Sequence, residues 1–283
     1  TSWQGPRLSS LLDRYSSIEW IIEGWHQHRY NIPGQPRLTL ADAAAASAYV
    51  DRVLALADAW WPDVDISHVA SNGPPALLAL GRWWRQGTPI VVTEHGIYLR
   101  ERHLALSKSS MSWSSRYVTG AFLRMLTQVA YLEAVQLAPV SEFNRLWEIE
   151  LGAPAGKTTA ILNGVDVDQY HPIEHEPTAP TVSFVGRIDP LKALEVMIDA
   201  FALVRERIPD ARLRLFGPTP KGDEEYREGL EAQIERLCLG ESVTFEGEVP
   251  DSMQAIAAGH VVALSSISEG LPFTVIEAMM AGR

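Results

Sequence analysis

The chain has a single cysteine, Cys238, among 283 residues. One thiol can neither close an intrachain disulfide nor supply a cysteine-rich metal centre, and a reducing, cytoplasmic setting fits. Positive charge is also scarce, since 24 Lys and Arg against 35 Asp and Glu leave a net charge of -11. No general basic field exists to attract nucleic acid or an anionic membrane, so an anionic ligand must be held by local groups. The chain has no run of about 18 apolar residues, as a membrane-spanning helix would need. Nor does its start show the basic-then-apolar pattern of a signal peptide, so the chain reads as soluble. It opens on Thr1 and stops at Arg283 just after a helical pattern, so both ends read as cut.

What is present points to two domains, each long enough to bury a core. Residues 8–61 are helical in pattern, clearest in the Ala-rich run 41–60. From residue 65 short apolar runs at 66–70 and 89–93 alternate with an amphipathic stretch at 74–85, the texture of parallel βαβ units. A long helix is expected over 113–133, a strand at 136–140, a helix from 142 and a strand at 159–162. Residues 171–180 carry three prolines and no period, and read as a linker. Strand and helix patterns then restart, giving strands at 181–186, 212–217, 243–246 and 261–265. The expected layout is therefore a first α/β domain at 1–170, a linker at 171–180 and a second α/β domain at 181–283, both domains partial. In such open sheets ligands bind beyond the carboxyl ends of the strands, which directs attention to the loops at Glu94, Arg187, Pro218, Gly247 and Ser266.

The strongest constellation is Glu269-Gly270-Leu271-Pro272-Phe273, followed by Glu277. It comes after an apolar strand and opens a helix. Pro272 suits the first helical turn, where its missing N–H costs nothing, and Gly270 lets backbone approach a ligand closely. The free amides and the positive end of the helix can hold a phosphate, while the two carboxylates can grip sugar hydroxyls. An ordinary strand-to-helix connection with an acid complementing the helix dipole would show the same residues.

This segment resembles the E-x7-E motif of family-four retaining glycosyltransferases, a family of GT-B fold. The resemblance implies that Glu269 contacts the donor hexose, that the Gly270 and Leu271 amides meet the diphosphate, and that Glu277 holds the nucleotide ribose.

A second signal is Gly186-Arg187 at a strand end, with Lys192 five positions on. Arginine offers a planar fork to phosphate oxygens and lysine a compact charge. Two solvated loop cations would look no different. The same family has a G-R and a following Lys after the first strand of its second domain, so the resemblance assigns Gly186, Arg187 and Lys192 to the diphosphate.

The third signal is Thr93-Glu94-His95-Gly96-Ile97-Tyr98, with Arg100 and Arg102 beyond it. A histidine after a strand is most often packed or on the surface, and a charge run is usually a solvated face. The phrase T-E-H-G-I-Y-x-R-E-R is nonetheless similar to that of the Pel-polysaccharide glycosyltransferase (PelF) subgroup, the subgroup this chain is closest to. That likeness implies that His95 lies near the donor sugar and reacting centre, with Arg100 and Arg102 as acceptor or phosphate contacts.

Other patterns are set aside. The run from Gly152 to Thr158 has three residues between its glycines where a P-loop needs four, and a strand rather than a helix is expected after it. Asp63-Val64-Asp65 and Asp166-Val167-Asp168 resemble D-x-D metal sites, but neighbouring ligands are missing from the pattern and a metal-independent site is expected. Trp60-Trp61 and Trp83-Trp84 are expected to pack into a core or domain interface rather than to stack on a sugar.

Taken together, the resemblance implies two Rossmann-like domains facing across a cleft. It also implies transfer of a hexose from a nucleotide-diphosphate sugar, favouring UDP, to a glycan or other hydroxyl acceptor, with retention, in exopolysaccharide biosynthesis. Expected partners are the donor, the acceptor and a polysaccharide-synthesis complex, with no nucleic acid. Two alternatives remain open at this point: a non-catalytic nucleotide-sugar-binding scaffold, and a GT-B-fold nucleotide-sugar epimerase. The Gly-rich loop that family members carry near their N-terminus has no counterpart before Asp65.

Overall fold

A computed structural model describes residues 16–29, 34, 36–60 and 62–283. The described residues up to Leu162 form one compact unit and Asn163–Arg283 another. No described helix is long and apolar enough to cross a membrane.

The first unit opens with α1 (Ser17–Arg29) and α2 (Leu40–Leu54), followed by a short 3-10 turn, Ala55–Asp58. Residues 8–15 of the expected early helix lie outside the described residues. Helix α2 starts where it does because Thr39 and Asp42 form a reciprocal capping box. Asp42 also accepts from Ser112 Oγ at 2.5 Å, and these hydroxyl bonds hold its carboxyl below the usual range. The sheet follows as β1 (Ser67–Val69), α3 (Pro74–Gln86), β2 (Ile90–Val92), α4 (Tyr98–Lys108), α5 (Trp113–Glu133) and β3 (Gln136–Leu137), then α6 (Glu142–Glu150). All three strands are parallel, in the order β1-β2-β3. The strand expected at 159–162 is an extended segment, bonded beside β3 through Thr159 N to Leu137 O and Ile161 N to Pro139 O. Helix α5 buries Phe122, Leu123, Leu126, Ala130 and Tyr131 at helical spacing against Leu77, Leu80, Ile90 and Val92. Each fully buried leucine or isoleucine there contributes about 1.5–3 kcal/mol. Helix α4 has no apolar stripe in its sequence, and buries only Leu99.

The second unit contains β4 (Thr181–Val185), α7 (Leu194–Arg207), β5 (Arg212–Phe216), α8 (Glu224–Arg236), β6 (Val243–Gly247), α9 (Ser252–Ala257), β7 (Val261–Val262) and α10 (Phe273–Met280). Its parallel sheet has the order β6-β5-β4-β7. Strand order therefore reverses at β4: the chain steps to β5 and β6 on one side and returns to β7 on the other. Phe184, Leu194, Ile198, Phe201, Leu213 and Leu215 lie in the main core cluster. A separate cluster joins Tyr170, Ile256, Ala278 and Ala281.

The compact units divide at 162/163, where the sequence pattern placed the end of the first domain at 170, and the stretch expected as a linker, 171–180, is held within the second unit: beside the buried Tyr170, Ile173 N donates to Ala281 O at 3.1 Å and Glu176 pairs with Arg283 at 2.7 Å. The units divide at 162/163 because this proline-rich stretch, lacking any period, is fixed by contacts distant in sequence.

Candidate functional site

The reversal at β4 places two loops side by side at the carboxyl edge of the second sheet, one after β4 and one after β7. An open α/β sheet binds ligands at such a point. Hydrogen bonds join the loops into one assembly. Ile267 N donates to Leu191 O at 2.8 Å, Ser265 Oγ to Lys192 O at 2.8 Å, and Thr274 Oγ1 to Val185 O at 3.1 Å.

Lys192 closes a 3-10 turn, Pro190–Lys192, that Asp189 caps by accepting from Leu191 N at 2.9 Å. Its Nζ donates to Glu269 Oε1 at 2.6 Å. The side chains are 15% and 26% exposed, so this pair is less screened than a surface ion pair. Arg187 lies on the same loop, 61% exposed, with its guanidinium 3.2 Å from the buried carboxylate of Asp189. Asp189 is a residue the sequence reading missed; it both caps the turn and holds the arginine.

Backbone approach is close at Gly217. Its φ is +135°, and a Cβ there would fall 1.9 Å from Gly186 O. Gly186 N donates to Phe216 O and Ile188 N to Pro218 O, both at 2.9 Å, which fixes the start of the Arg187 loop.

Past Glu269, the amides of Gly270 and Leu271 make no hydrogen bond among the described residues. Leu271 O accepts from Asn163 Nδ2 at 2.8 Å. Pro272 sits at the N-cap, at φ -70° and ψ 126°, rather than inside the first turn. Glu277 lies one turn into α10, where its Oε1 accepts from Tyr170 OH at 2.9 Å. Tyr170 OH also meets Ser252 Oγ at 2.9 Å. Neither Asn163 nor Tyr170 carries a site signal in the sequence, because each acts through one bond across more than a hundred positions.

In the first unit, His95 is exposed on the loop between β2 and α4. The residue before it is wholly buried: Glu94 is 1% exposed, accepting from Tyr131 OH at 2.5 Å and from Tyr98 N at 3.2 Å. Burial pushes its carboxyl up to about 7 against those two bonds. Gly96 lets the Glu101 carboxyl lie over the loop, since a Cβ there would meet Glu101 Oε1 at 2.0 Å. Arg100 and Arg102 follow in α4, with Arg102 placed over the Tyr98 ring, 5.7 Å from its centroid.

Most of the remaining sequence features find structural roles. Lys157 donates to the carbonyls of Leu132 and Ala134, and no helix follows it. Asp63 pairs with the buried Arg82 at 3.2 Å, and Asp166 Oδ1 accepts from Asp168 N at 2.9 Å in a local turn. Among the described residues no group of three or more His, Cys, Asp or Glu is arranged to hold a metal ion. Trp83 packs against the core and donates to Glu133 at 2.7 Å. Trp60 does not pack as expected, being 85% exposed beyond the end of the 3-10 turn, while Trp61 lies outside the described residues.

Solved structures share this architecture. Anabaena Alr3699/HepE in complex with UDP-glucose matches with a TM-score of 0.64 at 21% identity, covering 100% of this chain and 77% of that one. Sucrose-phosphate synthase from Thermosynechococcus elongatus gives 0.62 at 21% identity, covering 88% and 61%. The fold is GT-B. A GT-B chain carries two Rossmann-like α/β units in series, here with the strand reversal in the second at β4. Two family profiles fall on the two units. Residues 17–156 match "Domain of unknown function (DUF3492)", and residues 167–283 match "Glycosyl transferases group 1". Among curated relatives, D-inositol 3-phosphate glycosyltransferase of Streptomyces avermitilis is 28% identical over 78% of this chain and 49% of its own length. Sulfoquinovosyl transferase SQD2 of Arabidopsis thaliana is 29% identical over 77% of this chain and 41% of its own. The chain thus spans about half the length of these relatives.

Proposed function

We propose that this GT-B chain belongs to a glycosyltransferase that moves a hexose from a nucleoside-diphosphate sugar, UDP in particular, to a hydroxyl acceptor with retention of configuration. The observation that carries this reading is the meeting of Lys192 and Glu269 at the strand reversal of a sheet whose sequence matches group 1 glycosyl transferases. Arg187 and Lys192 would face the diphosphate with the Gly270 and Leu271 amides, Glu269 the hexose and Glu277 the ribose. His95 would serve the reacting centre from the first unit, with Arg100 and Arg102 as acceptor or phosphate contacts. An incoming diphosphate would compete with Glu269 for Lys192 and release the carboxylate toward sugar hydroxyls.

Transfer would break the bond between the anomeric carbon and the diphosphate oxygen while the acceptor oxygen bonds to that carbon from the same face. The acceptor proton would pass to the departing diphosphate. The protein's main contribution is then fixed positive charge where the leaving group gains negative charge, commonly the largest catalytic effect. With two cations and two amides for that task, turnover is expected to be unaffected by chelators. Anabaena Alr3699/HepE, which shares the fold, is solved in complex with UDP-glucose, and this supports a UDP-sugar donor. We further place the enzyme in the cytoplasm, in polysaccharide assembly.

The test is a panel of nucleotide sugars with the intact protein, scored for acceptor-dependent release of nucleoside diphosphate. Acceptor-dependent release by the wild type, lost in Arg187→Ala, supports the proposal. Binding without release would favour a non-catalytic sugar-nucleotide scaffold.

A further inference from the structure

Two acids in the first unit face each other, and neither is paired with a lysine or arginine among the described residues. Glu94, after β2, and Glu148, in α6, are each 1% exposed. Tyr131 and Tyr98 supply donors to Glu94, but neither oxygen of Glu148 has a donor. Asn144, one turn ahead of Glu148 on α6, reaches the Glu94 carbonyl with Nδ2 at 3.5 Å, so the two acids lie beside each other and each acts on the other's proton affinity. A carboxylate has only acceptors, so two carboxylates cannot hydrogen-bond to each other; a carboxylic acid and a carboxylate can.

Four elements surround the pair. Tyr131 comes from α5, Tyr98 and Glu101 from α4, Asn144 from α6, and Asn72 from the loop after β1. Glu101 adds a further negative charge acting on Glu94. Burial raises both acids, and the Glu94 charge raises Glu148 further, whereas the Tyr131 and Tyr98 bonds favour charge on Glu94. The backbone of Glu94 is held too, its carbonyl accepting from Val140 N at 3.3 Å. His95 is the next residue.

We propose that Glu94 and Glu148 share one proton, held on Glu148 and donated to Glu94, and that this buried pair is the positioning device for the loop that presents His95. It rests on the proposed function only in assigning His95 to the reacting centre. The shared proton and the loop's order are measurable without turnover.

Glu148→Gln keeps a donor toward Glu94 but cannot titrate, whereas Glu148→Ala removes it. Infrared spectra at about pH 8, above the Glu94 value of about 7 and below the Glu148 value of about 9, should show a protonated-carboxyl band in the wild type that is missing in Glu148→Gln. A folded-state acid held above its ordinary range gives stability that is complete below that range and lost as pH rises through the raised value. Melting temperatures should therefore favour Glu148→Gln increasingly from about pH 5 to about pH 9. Amide exchange over residues 93–98 should match the wild type in Glu148→Gln and be about tenfold faster in Glu148→Ala. If Glu148→Ala does not fold, Glu148→Gln still decides the shared proton through the band and the melting profile. No band difference together with a pH-independent gap in melting temperature overturns the shared proton. Unchanged exchange in folded Glu148→Ala overturns the positioning role. Absent turnover by the wild type would instead count against the proposed function and leave these results standing.

Discussion

Lys192 and Glu269, 77 positions apart, meet through a 2.6 Å bond between Nζ and Oε1 because the loops after β4 and β7 share one edge of a parallel sheet. The pair joins the residue proposed for the leaving group to the residue proposed for the sugar. Each holds the other's charge in place.

Lys192→Ala should slow transfer by about 100- to 1000-fold, the usual cost of removing one preorganised donor from developing negative charge. Folding should change little, since the partly buried pair lies at the sheet edge and not in the core. Steady-state rates and a urea melt on the same preparation check both halves. Comparable losses of rate and stability would assign Lys192 a structural role.

Tyr170→Phe should weaken nucleotide affinity by about 3- to 10-fold, the scale of one hydrogen bond, with the turnover rate less affected. The lost hydroxyl orients Glu277, which is proposed to hold the ribose and not the reacting bond. Dissociation constants for UDP and a turnover rate at saturation separate the two effects.

How these contacts came to be legible or hidden follows from their range. The E-x7-E turn, the Gly186-Arg187 loop and the helices with apolar stripes are local patterns, and the sequence marks them. Asn163, Tyr170 and Asp189 support them through bonds that no local period encodes. Glu94 was hidden differently: its neighbour His95 has the expected chemistry, while a lone glutamate at a strand end gives no hint that it is buried or that Glu148 lies against it. Helix α4 escaped notice because its face is mostly charged. The contacts that hold residues 163–180 to the second unit have no local period, so the prolines of that stretch read as a linker while its burial at Tyr170 left no mark in the sequence.

Gly217→Ala should destabilise the second unit by about 1–3 kcal/mol through its positive φ alone, before the contact with Gly186 O is counted. Because Gly186 starts the Arg187 loop, nucleotide binding should weaken as well. Denaturant melts and a UDP titration test this together.

Tyr131→Phe removes the hydroxyl bonded to Glu94, at a cost of about 1–3 kcal/mol for the unmet buried acceptor. That bond favours the charged carboxylate, so its loss raises the Glu94 carboxyl above the value of about 7 it already has. Stability then falls more steeply as pH rises than in the wild type. Urea melts at about pH 5 and about pH 8 should show the larger deficit at the higher pH.

The central claim is that the edge between β4 and β7 holds a nucleoside diphosphate, and calorimetric titration of UDP into the intact protein tests it most directly. The wild type should bind saturably and Lys192→Ala at least about tenfold more weakly, as expected for a lost charge-assisted bond to phosphate. Equal affinity in the two proteins, or no binding by the wild type, would contradict the assignment.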